Sequence, residues 1–403
     1  MIRVLYTAAH GGFAGQPVPL GGGAAIAERL MTEWSRARPF EVRLIDPSVL
    51  GAAAPSARDL VTFDEARYAR FCHDFSKAAT AEILREDPRR TVVLGNDISE
   101  GPDAAALARA GFRVSTIFHV DVAAYIAAIY LKGLARPETL VRWQARLPRR
   151  LSPPILDLIF RKQREVVEHG RRSIVPSEGM RDVIGRCYGA AAAAKVEVVP
   201  WGVTPSEPAP GAGAELRREF GVPADAPVLL TLSRISPEKG QDLLLDALRG
   251  WRGPELWLFV CGEPAFMRGE AFARLLRTKA ERLRGVRTVF PGYVMGPRKR
   301  AFFDMASVYV FPSRHESYGL TLLEALQAGL PSVCLDHHGS RAAMRPEFGE
   351  IVQPGGLLPA IERLLASPER RGAMGLAAAE WASTQRFADA AARIATLLAS
   401  DLV

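Results

Sequence analysis

Short, almost uninterrupted apolar runs recur along this chain, separated by longer stretches whose apolar positions repeat every three or four residues. The runs fall at 2–7, 41–45, 91–94, 114–118, 173–175 and 195–199, and again at 228–232, 255–261, 287–290, 308–311 and 332–335. A block without polar alternation predicts a strand buried on both faces, the signature of a parallel sheet covered by helices. Strands alternating with helical stretches, such as 24–36, predict a doubly wound α/β fold. The Pro- and Gly-rich stretch 204–213 divides the pattern into two sets. The expected architecture is two Rossmann-like domains facing each other across a cleft, 1–204 and 205–380, followed by a terminal helical run over 368–402.

Composition agrees with this picture. A chain of 403 residues exceeds the usual single-domain size, and 48% apolar with 24% charged residues is an ordinary globular balance. Cys72, Cys187, Cys261 and Cys334 are far apart, form no CxxC pair, and suggest neither a zinc site nor a disulfide framework. The N-terminal MIRVLYTAAHGG lacks the plan of a signal peptide, and no apolar run approaches about 18 residues. A cytoplasmic protein is expected.

The net charge of +8 is localised: between positions 132 and 172 stand eleven Lys or Arg against four Asp or Glu. Trp143, Leu147, Leu151, Ile155, Leu158, Ile159 and Phe160 are interleaved with them around Pro153 and Pro154. Two readings stay open: a segment resting on anionic lipid headgroups at the inner face of a membrane, or helices with one buried apolar face and one solvated basic face. No nucleic-acid motif accompanies the charge, and no nucleic-acid partner is expected.

The most specific chemistry lies in FPSRHESYGLTLLEALQAGLP, where Glu316 and Glu324 stand on either side of a helix start. Ser317, Tyr318 and Gly319 turn the chain, and the N–H groups opening the helix at Leu320 and Thr321 lack intrahelical acceptors, an arrangement that attracts phosphate. Two acids so placed can hold sugar hydroxyls on either side of a bound diphosphate; the plain alternative is a capped amphipathic helix. The run 228–232 leads into SRISPEKG, where Ser233, Arg234, Lys239 and Gly240 occupy the loop after a strand. Such an edge is where ligands bind in open α/β sheets, and Arg with Lys suits a diphosphate.

With SRISPEKG, HESYGLTLLEALQAGLP, VEVVPWGV, CGEP, FPGYV and LLASPERRGAMGLAAAEWA, the chain resembles the retaining nucleotide-sugar glycosyltransferases of family 4, whose fold is called GT-B. The resemblance runs nearly end to end in the C-terminal half and is looser in the N-terminal half. It implies that 381–403 packs back toward the first domain. It also implies transfer of a hexose or N-acetylhexosamine from a nucleoside-diphosphate sugar, most readily a UDP-sugar, to a hydroxyl acceptor. That acceptor is a glycan, a lipid-linked molecule or a small molecule, in polysaccharide or glycolipid synthesis.

In this scheme Arg234 and Lys239 neutralise the diphosphate, Glu316 with His119 holds the transferred sugar, and Glu324 holds the ribose. Gly22 and Gly23 let backbone approach the donor. Gly262 passes near the nucleotide, and Tyr293 and Val294 fall where the family binds the base. His119, following a strand in STIFHVDVAAY, is placed to hydrogen-bond a sugar hydroxyl. Asn96, Asp97 and Tyr125 are weaker candidates for acceptor contacts. No Asp-x-Asp occurs in the chain, so no metal and no cofactor are expected. The dinucleotide fingerprint with its ribose-binding acid is not cleanly present, which argues against a dehydrogenase. Three other readings remain: a nucleotide-sugar epimerase or phosphorylase on the same fold, a noncatalytic scaffold, and a basic membrane- or nucleic-acid-binding module.

Overall fold

The computed structural model describes residues 2–13, 15–16, 18, 20–131, 133–148, 152–206, 209–265 and 269–402. Leu151 and the cations Lys132, Arg149 and Arg150 of the basic segment lie outside the described residues, as do Glu207 and Pro208 of the linker. The chain divides into two units, Met1–Pro200 with Phe387–Val403, and Trp201–Arg386.

The first unit is built on six parallel strands, β1 (Arg3–Thr7), β2 (Glu41–Ile45), β3 (Thr91–Gly95), β4 (Arg113–Ile117), β5 (Arg172–Val175) and β6 (Val196–Val198). They lie in the order β2-β1-β3-β4-β5-β6. The central β3 is buried at every position, as its apolar TVVL run requires. Helices Gly22–Ala37, Glu65–Ile83 and Pro154–His169 are among those connecting the strands. The chain leaves β1 toward β2 and then crosses back to β3 on the other side, so the sheet reverses between β1 and β3.

The terminal helix Phe387–Ser400 belongs to this unit. Trp34 Nε1 donates to the Ala391 carbonyl at 3.0 Å. Beyond the helix, the fully buried Asp401 carboxylate accepts from Ser115 Oγ at 3.1 Å and from Arg172 Nε at 2.8 Å.

The second unit repeats the plan with β7 (Val228–Leu232), β8 (Leu256–Cys261), β9 (Val286–Gly292), β10 (Val308–Phe311), β11 (Ser332–Leu335) and β12 (Gly349–Val352), in the order β12-β11-β10-β7-β8-β9. All pairings are parallel. This sheet reverses between β7 and β10. Leu229, Leu258, Val310 and Val333 enter the same core as Leu244, Leu245, Ile361 and Leu364 of the covering helices.

Local differences from the sequence reading have local causes. The first long helix begins at Gly22, two residues earlier than the apolar period suggests, because Gly21 at φ 98° supplies its cap. The run 368–402 is two helices, Pro368–Ser383 and Phe387–Ser400, parted where Arg386 bridges to Val203. The stretch 204–213 yields at its end to a helix, Ala212–Phe220. The edge strand β12 carries too few apolar residues to show in the pattern.

Candidate functional site

In an open α/β sheet the crevice lies at the strand ends where the order reverses. In the second unit the loops leaving β7 and β10 meet at that point, carrying Ser233–Gly240 and Pro312–Gly319 respectively. Their union is covalently remote and held by specific bonds. Arg314 donates its backbone N–H to the Glu238 carbonyl at 2.8 Å, and its guanidinium reaches the Pro237 carbonyl at 2.6 Å. The same guanidinium forks onto Asp242 at 2.8 and 2.7 Å. Gly240, at φ 64°, brings its backbone so close to the other loop that a Cβ would stand 2.0 Å from the Pro312 carbonyl oxygen.

Across this junction Lys239 Nζ donates to Glu316 Oε1 at 2.5 Å, and Ser313 Oγ donates to the same oxygen at 2.9 Å. Burial pushes the Glu316 carboxyl up, but Lys239 and the hydrogen bonds outweigh it and hold the group below its ordinary value. Glu316 is therefore an anion at neutral pH. Arg234 lies on the same loop, 3.8 Å from Glu238, whose carboxylate also accepts from Ser236 Oγ at 2.6 Å. Gln241 pins the loop by donating to Ser233 Oγ and the Arg234 carbonyl at 2.9 and 2.8 Å.

Helix Leu320–Gln327 begins at Gly319, whose φ of 104° places its backbone against the Phe311 ring, 3.0 Å from where a Cβ would be. Among the described residues no side chain caps this terminus. Thr321 Oγ1 accepts from the buried Tyr309 hydroxyl at 2.9 Å, so its side chain is engaged inside the fold. Tyr318 is buried and its phenol is pushed up to about 12. Glu324 accepts from Lys299 Nζ at 3.0 Å.

The loop after β11 closes the back of the site. Gly339 N–H donates to the Glu316 carbonyl at 2.9 Å. His337 Nδ1 accepts from the Ser340 N–H at 3.0 Å, which leaves its ring proton on Nε2. Burial holds His337 down to about 3 and His315 to about 4, so both are neutral. Gly262 follows β8 beneath Ser233 and donates to the Gly292 carbonyl at 2.8 Å. Tyr293 and Val294 come directly after β9, the tyrosine a third exposed and the valine buried.

In the first unit the corresponding reversal lies beside β3, and Asn96 organises it. Its Oδ1 accepts from the Tyr6 hydroxyl at 2.5 Å and lies 3.2 Å from His119 Nε2, while its Nδ2 donates to the Gly23 carbonyl at 3.1 Å. The backbone at Gly23 packs on the His119 ring, with a Cβ position 3.1 Å from Cδ2. Gly22, Gly23, Asn96 and His119 are thus brought together. Burial lowers His119 to about 4 and makes it a neutral hydrogen-bonding group.

Asp97 lies beside Glu100, and burial with that neighbouring charge raises it well above its ordinary value. Tyr125 packs edge-to-face with Tyr130 at 6.1 Å.

Sequence reasoning missed Arg314, Ser313 and Lys299 in the second unit, and His10, Tyr68 and Glu100 in the first. Tyr68 donates to Glu100 at 2.5 Å, and His10 Nδ1 lies 3.7 Å from the same carboxylate. Arg314 and Ser313, both inside FPSRHESYGLTLLEALQAGLP, offered a sequence signal; the others lie outside the motifs that carry the resemblance. Among the described residues no three His, Cys, Asp or Glu are grouped to hold a metal ion.

Residues 214–381 match the family described as glycosyl transferases group 1. The chain is 35% identical over 262 residues to a D-inositol 3-phosphate glycosyltransferase of Kineococcus radiotolerans, covering 58% of each protein. It is 31% identical over 236 residues to a GDP-mannose-dependent alpha-(1-6)-phosphatidylinositol monomannoside mannosyltransferase of Mycolicibacterium smegmatis, covering 54% of this chain and 59% of that one. The chain thus spans a little over half the length of these curated relatives. Two solved structures share the fold: sucrose-phosphate synthase of Thermosynechococcus elongatus, with TM-score 0.74 and 18% identity over 99% of both chains, and Anabaena Alr3699/HepE in complex with UDP-glucose, with TM-score 0.65 and 16% identity over 99% of this chain and 100% of that one. The fold is that of GT-B proteins, and the chain resembles the family 4 glycosyltransferases.

Proposed function

We propose that this protein is a glycosyltransferase moving a hexose or N-acetylhexosamine from a nucleoside-diphosphate sugar to a hydroxyl acceptor. The observation carrying this reading is the junction at the β7/β10 reversal, where Lys239 and Glu316 meet beside Arg234 and an uncapped helix start. In the proposed reaction the bond from the anomeric carbon to the diphosphate oxygen breaks and a bond to the acceptor oxygen forms. The hydroxyl proton leaves with the diphosphate. Arg234, Lys239 and the N–H groups of Leu320 and Thr321 stabilise the charge that collects on the leaving group.

Glu316 accepts hydrogen bonds from the transferred sugar, and Glu324, oriented by Lys299, accepts them from the ribose. His119 serves as a neutral hydrogen-bonding group for a sugar hydroxyl, on the strength of the family resemblance. Retention of configuration follows from the same resemblance. Fixed cations supply the neutralisation, so turnover in the presence of EDTA is expected.

Uridine is the first nucleotide to test and guanosine the second, because one relative is named for GDP-mannose. The names of the relatives make polyhydroxylated inositol acceptors the first class to offer. Each polyol is offered with and without phosphate. The test is thermal stabilisation by UDP-, GDP-, ADP- and dTDP-sugars with EDTA, repeated on Glu324→Ala. Stabilisation by one nucleotide class, lost in the variant, supports the reading; no stabilisation by any donor rejects it.

A further inference from the structure

The excess positive charge between positions 132 and 172 is sorted by the fold. Lys162 is buried and donates to Ser76 Oγ and to the Gly101 and Pro102 carbonyls at 2.9, 3.1 and 3.1 Å. Arg171 and Arg172 are engaged by Asp401, and Arg161 lies 3.7 Å from Asp157. Leu158 and Phe160 are buried. These residues belong to the interior of the first unit or to its ion pairs and offer nothing to a partner.

Helix Pro137–Arg146 is different. Val141 is buried and Leu140 packs on the core, which fixes its inner side. Thr139, Arg142, Trp143 and Arg146, spaced by three and four, lie exposed on its other face. Trp143 is 61% exposed, and Leu134 in the loop just before the helix is 91% exposed. Tyr130, 48% exposed, ends the preceding π-helical turn Ile126–Tyr130. Arg136 is also exposed. Among the described residues none of Arg136, Arg142 and Arg146 has a carboxylate partner; Arg142 Nε donates instead to the Glu138 carbonyl at 3.2 Å.

We infer that this face, Tyr130, Leu134, Arg136, Arg142, Trp143 and Arg146, docks on an anionic lipid bilayer. The occupant is chosen by the pairing of charge with apolar tips. Three unneutralised guanidinium groups attract an anionic surface, and an indole among them is the side chain best suited to the headgroup boundary. A leucine left almost wholly in water gains nothing from a nucleic-acid backbone but gains by entering the acyl region. The inference does not depend on the transferase reading, because it concerns binding without donor or acceptor.

The test is flotation of the full chain with vesicles of phosphatidylcholine alone and of phosphatidylcholine with 30 mol% phosphatidylglycerol, about a third anionic lipid. Binding is expected only to the anionic vesicles, weakening as salt rises. Changing Arg136, Arg142 and Arg146 together to Gln lowers partitioning roughly 100-fold, about fivefold per charge. Tryptophan emission shifts to the blue on binding, and the shift is lost in Trp143→Phe, since Trp34, Trp201, Trp251 and Trp257 are buried and the half-buried Trp381 belongs to the second unit, packed on Phe348 at 5.3 Å. No binding to anionic vesicles at low salt overturns the inference. So does unchanged binding in the triple variant, or in Leu134→Ser/Trp143→Ala, the latter marking a purely electrostatic site for soluble polyanions.

Discussion

Lys239 and Glu316, 77 positions apart in the chain, meet at 2.5 Å where the sheet of the second unit reverses. Each lies on the first loop of one half of that sheet, so the ion pair reports directly on the crevice. A charge pair with both side chains only 15% exposed survives because each partner compensates the burial of the other.

Removing the cation therefore has two separable effects. Lys239→Met is expected to lower turnover by about 10²–10³-fold through loss of charge stabilisation, and to lower the unfolding temperature by leaving Glu316 buried and unpaired. Adding Glu316→Gln recovers the thermal stability and not the turnover. Thermal unfolding and initial rates on the two variants decide it; equal recovery of both would remove the catalytic role.

Stability is expected to fall as the solution is acidified from neutrality. His119, His315 and His337 are held below their ordinary value near 6.5, at about 4, 4 and 3. Below pH 6.5 the unfolded chain binds protons that the folded chain refuses, so the stabilisation present at higher pH is lost as pH falls toward the folded values. His119→Gln flattens this dependence between pH 7 and 4 in unfolding curves. A slope identical to the unsubstituted protein would contradict the buried, neutral assignment.

Gly240→Ala is expected to destabilise the second unit by about 1–3 kcal/mol, because a left-handed backbone and a carbonyl in the path of the new Cβ both oppose it. The same strain parts the two loops, so donor binding weakens more than stability alone explains. Calorimetric melting beside nucleotide titration measures the two effects.

Asp401→Ala is expected to cost about 1–3 kcal/mol by releasing the Ser115 hydroxyl and Arg172, with Arg172 still paired to Glu197 at 3.0 Å. Deleting Phe387 onward removes the cover from Trp34 as well and lowers the melting temperature much further. A deletion variant that melts like the full chain would show that the helix adds no stability.

Much of the fold was legible in the order of residues. Runs such as VLLTL, VYVF and SVCL are strands in the expected places because both faces of a parallel sheet are buried, and burial writes itself locally as unbroken apolar character. The start of the Leu320 helix was equally legible, since the left-handed turn before it requires glycine. The strand β12, GEIV, was not, because an edge position tolerates Glu350 and leaves no apolar run.

The site's partnerships belong to the tertiary structure. Lys239 finds Glu316, and Arg314 finds Asp242, only because β7 and β10 become neighbours across the reversal, a fact with no counterpart in sequence spacing. The basic segment shows the same division. Its charge could be counted in the chain, but the fold alone buried Lys162, gave Arg172 to Asp401, and left Arg142, Trp143 and Arg146 facing water. Local pattern records what each residue needs from its surroundings, whereas which distant group meets that need is settled by strand order and packing.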